Sequence, residues 1–182
     1  MQYTIYLTLA PAAFIILVYV LGQILLRWQR RDAKLLFVFM AIALGYLTTQ
    51  YLEVVTADLA VSSFWARFSF VFRAFLPAAW LAFVLQYTRQ STLVSFSRYW
   101  LLLLIPIVTA VFAVAEGSNR LLIANIALVE DGGHAMLDFA YGPWFWFHFC
   151  YTYILMAYGS VLLLKNQFFQ NPVYRSQGRW ML

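Results

Sequence analysis

The sequence predicts an all-α fold: a polytopic transmembrane helix bundle of five spans, amino terminus outside and carboxyl terminus inside. Three observations carry this. Apolar residues fill 64% of the 182 positions and charged residues 10%, whereas a soluble domain is about 25% charged. The apolar residues fall into runs of membrane-spanning length separated by polar connections. The basic residues gather at alternate connections, which orients the bundle.

The first run, residues 3–26, is followed at once by RWQRR. A secretory signal has its basic residues before the apolar core and a small-residue cleavage site after it. Here the order is reversed, so the run reads as a retained helix that Pro11 bends without abolishing. The second helix covers about residues 34–55 and carries Tyr46, Thr49, Gln50 and Glu53 at spacings of three and four, hence on one side. That stripe is either a polar rim at the membrane surface or a face turned toward an arginine of the next helix. The third helix, residues 64–88, contains Arg67, Arg73 and Pro77. An arginine within hydrocarbon is expensive unless it snorkels, meets water or pairs, so this helix is expected to pack on polar groups of its neighbours.

The fourth helix, about residues 99–115, contains Pro106 and is barely long enough for a perpendicular span. Residues 116–141 form the longest connection. Its Asp131-Gly132-Gly133 cluster suits a hairpin reversal, and a short interfacial helix followed by a loop fits as well. Either would lie over the outer ends of the bundle, a place for a lid or a ligand-contacting cap. The fifth helix, about residues 142–165, opens on Gly142 and Pro143, a residue pair suited to a helix start.

Arg27, Arg30, Arg31, Lys34, Arg89, Arg98, Lys165, Arg175 and Arg179 all flank connections opposite the amino terminus, and Arg67, Arg73 and Arg120 are the other three of the 12 basic residues. This bias sets residue 165 onward inside. The net charge of +5 is spread between apolar runs rather than over one soluble face, so nucleic acid is not an expected partner. The single cysteine, Cys150, can form no disulfide within the chain. Two histidines without a cluster of cysteine or acidic ligands give no metal set, and nothing in the chain calls for a cofactor.

The ligand-binding candidates form two groups. Glu53 with Arg67 or Arg73 would make a polar latch, and Trp144, Trp146, His148 and Tyr151 would make an aromatic wall. Trp144 and Trp146 also suit an outer aromatic belt. His148 reads either as a hydrogen-bonded structural histidine or as a ligand or proton sensor.

The order of ALGYLTTQYLE at 43–53, FWARFSFVFRAFLPAAWLAFVLQYT at 64–88, LLLIPIVTAVFA at 102–113, YGPWFWFHFCYTYIL at 141–155 and YRSQGRW at 174–180 resembles the amino-terminal seven-helix sensor domain of bacterial histidine kinases and related signalling proteins. The resemblance spans most of the chain. It implies one membrane sensor domain over residues 1–182, with 166–182 approaching a sixth helix, in a bacterial inner or cytoplasmic membrane. Glu53, Arg73, Pro77, Trp80, Tyr141, Gly142, Pro143 and His148 are carried over as its outer and central framework. Ser118 and Leu122 stand where the family's outer connection has threonine and histidine. The five-helix length reads either as part of a longer sensor or as a complete five-helix relative.

The function implied is a sensory input domain that passes an external or membrane-derived stimulus to a cytoplasmic output. The chain has no ATP-binding glycine motif and no phosphotransfer segment, so no catalytic residue is assigned to it. Expected partners are the lipid bilayer, a small-molecule or membrane-derived stimulus, a cytoplasmic kinase or other signalling domain in a longer chain, and a second copy of the chain. The competing reading is a noncatalytic assembly subunit whose polar residues hold helices together. An integral membrane enzyme ranks third for want of a catalytic pair.

Overall fold

The computed structural model describes residues 2–29, 31–56, 58–88, 96–115, 120–131 and 134–170. The element order is α1 (Gln2–Leu25), α2 (Arg31–Val55), α3 (Leu59–Tyr87), α4 (Phe96–Val114), β1 (Ile123–Asp131), β2 (His134–Tyr141) and α5 (Pro143–Gln170). Of the two forms open for the long connection, the structure has the hairpin. β1 and β2 pair antiparallel from Asp131↔His134 to Ile123↔Tyr141, with an irregularity between Ile123 and Asn125. The expected approach to a sixth helix lies largely outside the described residues, and α5 itself runs on to Gln170.

α3 starts five residues earlier than its apolar run. The cause is Asp58, whose side chain accepts a hydrogen bond from the Val61 N–H at 2.9 Å and so caps the helix at Leu59. Ser62 then donates its hydroxyl to the main-chain carbonyl of Glu53 at 2.9 Å, tying the first turn of α3 to the last turn of α2. With so short a connection the two helices are antiparallel neighbours.

α3 is the hub: it packs on α2, α4 and α5, whereas α1 packs chiefly on α2. Its buried residues are Ser62, Ala66, Ser69, Phe70, Ala74, Pro77, Ala78, Leu81, Val84 and Leu85. They recur every three or four positions, and most in the first half are small. Small residues let helix backbones approach where lipid supplies no hydrophobic drive. α2 answers with Gly45, where a Cβ would run into the Phe72 ring.

Three helical stretches, Asp32–Val55, Leu59–Tyr87 and Pro143–Asn166, are long and apolar enough to cross a membrane. The apolar parts of α1 and α4, Leu9–Leu25 and Trp100–Val114, are shorter. With its flanking residues, α4 has 19 residues and reaches about 28 Å, close to the hydrocarbon thickness of about 30 Å. Ile15, Ile16, Leu26, Trp100, Val111 and Ile154 all stand well exposed. Such a surface suits lipid rather than water. Several hydroxyls within the helices are satisfied locally, among them Thr48 on the Leu44 carbonyl and Thr109 on the Ile105 carbonyl, both at 2.8 Å.

Candidate functional site

Arg73 lies at the centre of the bundle, and α2 supplies its partners. Its Nη2 donates to the Tyr46 hydroxyl at 3.1 Å and to Gln50 Oε1 at 3.2 Å. Gln50 Nε2 in turn donates to Glu53 Oε2 at 2.9 Å. Glu53 is thus linked to Arg73 through Gln50, one turn further along the stripe. The guanidinium also rests over two rings, Phe70 at 4.6 Å and Tyr46 at 5.1 Å. Cation–π contact and charged hydrogen bonds together let a span hold an arginine away from water.

The backbone at Arg73 is unusual too. Pro77 has no N–H to give to the carbonyl four residues earlier, which belongs to Arg73. α5 covers this region. His148 is only 5% exposed, its ring meets the Ala74 main chain, and it lies within the field of Arg73. Among the described residues no group pairs with His148 Nε2, Thr152 Oγ1 or Trp80 Nε1. His148 and Thr152 are one turn apart on the inner face of α5, and Trp80 lies against the same helix at Gly159. The α3–α5 contact therefore carries unspent hydrogen-bonding capacity.

α4 meets α5 through two polar contacts. The Tyr151 hydroxyl donates to the Leu102 carbonyl at 2.6 Å. That carbonyl is the one Pro106 leaves without its helical donor. A neighbouring helix has supplied the missing bond. The second contact runs from Trp144 Nε1 to Thr109 Oγ1 at 3.0 Å.

The aromatic residues at the start of α5 divide by helical angle. Trp144, His148 and Tyr151 face inward, and the His148 and Tyr151 rings lie 5.9 Å apart. Trp146, two positions from both Trp144 and His148, is turned about 200° from them and is 57% exposed. It rests on Phe145 and Phe149. The structure thus brings His148 and Tyr151 together, sets Trp144 against Phe112 and Thr109 of α4, and leaves Trp146 on the other side of α5. Arg67 leaves α3 in another direction and lines a cavity of about 310 Å³ beneath β1.

Sequence reasoning missed Phe70, Phe145, Thr109 and the Leu102 carbonyl. Arg73 sits over Phe70, Phe70 meets Phe145 edge-on at 6.3 Å, and Phe145 stacks on Tyr141 at 3.9 Å. Aromatic contacts thus run without a break from the half-buried Arg73 to the last residue of the hairpin. Phe70 could have been found as the residue three before Arg73, and Thr109 as a polar residue within an apolar run. Leu122, at the position where the family pattern has histidine, is 1% exposed and packs with Phe70 and Ala113. Among the described residues no three His, Cys, Asp or Glu side chains come together as a metal set.

These features define a helical membrane domain whose polar centre lies between α2, α3 and α5, with a two-stranded hairpin beside the start of α5. Residues 8–182 match the N-terminal 7TM region of histidine kinase, and the chain belongs to that family. No curated protein and no solved structure matches it. The region is the membrane part of such kinases and not their phosphotransfer part.

Proposed function

We propose that the chain is a transmembrane sensory input domain which converts an external or membrane-derived stimulus into a change of helix packing read by a cytoplasmic signalling output. The observation that carries this is Arg73, held within a membrane helix by Tyr46 and Gln50 of α2 and neighboured by His148 of α5. One residue thereby couples three helices. A stimulus that moves α5 or the hairpin reaches Arg73 through Phe145 and Phe70. For such a device to signal, the stimulus must bind one packing state more tightly than the other, since equal affinity shifts nothing. The unpartnered His148 Nε2 and Thr152 Oγ1 supply groups whose hydrogen bonding can differ between two such states.

The reading requires the hairpin outside and the end of α5 inside a bacterial cytoplasmic membrane, as the distribution of basic residues implies. Reporter fusions or cysteine labelling after Asp58, Thr92, Glu130 and Gln170 test it. The expected result is outside, inside, outside, inside. Any other alternation removes the external stimulus site and the cytoplasmic output together.

A further inference from the structure

Where the end of α1, the start of α2 and the end of α3 converge, they enclose a cavity of about 350 Å³. Its lining is graded in the same sense on all three. Ile24 lies one turn deeper in the membrane than Arg27, Leu36 one turn deeper than Asp32, and Phe83 one turn deeper than Tyr87. The cavity is thus polar at the membrane surface and apolar beneath it. A soluble ion has no use for the apolar part, whereas an amphiphile fills both.

The polar rim is held in place by the turn that closes α1. Arg27 N–H donates to the Ile24 carbonyl at 2.9 Å and Trp28 N–H to the Leu25 carbonyl at 3.2 Å. The Trp28 ring meets Phe37 of α2 edge-on at 5.2 Å, and Lys34 Nζ stands 5.7 Å from the same indole. Charge at this end of the bundle is one-sided. Residues 27–34 carry Arg27, Arg30, Arg31 and Lys34 against the single carboxylate of Asp32, and residues 88–98 add Arg89 and Arg98 and no acid. Basic residues gathered at a membrane surface attract acidic lipid.

We propose that this cavity binds one acidic phospholipid of the phosphatidylglycerol class, with its phosphate at Arg27 and the start of an acyl chain over Ile24, Leu36 and Phe83. A guanidinium offers paired N–H donors to phosphate oxygens. Asp32 then faces the glycerol of the headgroup, whose hydroxyls are donors for a carboxylate. The proposal goes beyond the sensory reading and needs only that these helix ends stand at the membrane surface. α1 packs chiefly on α2, so a lipid that touches all three helices also joins α1 to α3.

The test places the whole 182-residue chain in nanodiscs of phosphatidylcholine with a rising mole fraction of phosphatidylglycerol. It reads the thermal midpoint, which rises when a ligand binds the folded state. The expected result is a saturable rise. Arg27→Gln should raise the mole fraction at half-saturation about fivefold or more, and Arg27→Lys should recover part of the loss. Arg27 is exposed, so its replacement leaves the core intact. Ala33→Leu adds bulk to the cavity lining without changing charge and should weaken binding as well. Lys165→Gln removes an exposed basic residue near the end of α5 that does not line the cavity, and should leave the curve unchanged. Glycerol phosphate titrated into phosphatidylcholine discs, a headgroup without its chains, should give no comparable rise. Three results would each overturn the site: no saturable rise with phosphatidylglycerol, equal shifts for Arg27→Gln and Lys165→Gln, which is diffuse surface attraction, or a full rise with glycerol phosphate alone. Signalling is not read in this experiment, so its failure removes the lipid site and leaves the sensory reading to be judged by the kinase output of Arg73 variants.

Discussion

Arg67 and Arg73 lie six residues apart on α3, and over that distance a helix turns so that the two side chains leave it in directions about 120° apart. Arg73 meets α2, with hydrogen bonds to Tyr46 and Gln50 and a ring beneath its guanidinium. Arg67 borders a cavity shared with α4 and β1. The same residue type on one helix thus does two kinds of work. At Arg73 the charge is built into the contact between α2 and α3, and at Arg67 it stands at the border of α3 with α4 and β1. A half-buried charge held by partners on a neighbouring helix is suited to reporting the relative position of the two helices.

The comparison is broken most directly by a double-mutant cycle. Arg73→Leu removes both hydrogen bonds to α2 and leaves Tyr46 and Gln50 to find other partners. It should cost roughly 1–3 kcal/mol in reversible unfolding in detergent or bilayer, given the modest net worth of polar contacts between membrane helices. Combined with Gln50→Leu, the non-additive part should be about 1 kcal/mol, while Arg67→Leu combined with Gln50→Leu should be additive. Additivity in both cycles would mean that Arg73 is not anchored as the structure has it.

A smaller effect is expected where α4 meets α5. Tyr151→Phe deletes the donor that serves the carbonyl freed by Pro106 and should cost about 1 kcal/mol. In a Pro106→Ala background, residue 106 regains an N–H for Leu102, and the cost of Tyr151→Phe should fall well below that. An unchanged cost would show that the hydroxyl stabilises by some other route. The smallest effect belongs to Trp146→Ala, expected within about 0.5 kcal/mol because the side chain faces away from the bundle. A loss as large as that of Arg73→Leu would place Trp146 in an interface the structure does not contain.

Much of the polar centre was legible in the sequence, because a helix converts spacing into direction. Tyr46, Gln50 and Glu53 had to share a face, and an arginine within a span had to find such a face. The start of α3 was misjudged because hydropathy marks where a run becomes apolar, whereas the helix begins where Asp58 caps it. The hairpin stayed one of two options because short segments of mixed polarity fit a strand or an interfacial helix equally well. Trp146 was grouped with Trp144 on composition, though two residues along a helix point to opposite sides. The contacts through Phe70, Thr109 and the Leu102 carbonyl were invisible for a different reason. Each joins elements far apart in sequence, and only their packing decides which of many apolar residues meet.

The sensory account stands or falls on whether the packing at Arg73 reaches the output. In the full-length signalling protein, at matched membrane levels, the measurement is basal phosphorylation of the output for Arg73→Leu beside Arg67→Leu. The account predicts a clear shift for Arg73→Leu and a basal level near wild type for Arg67→Leu. An unchanged basal level for Arg73→Leu despite lowered stability, or equal basal shifts for both variants, would contradict it and leave Arg73 as a helix-packing anchor of an assembly subunit.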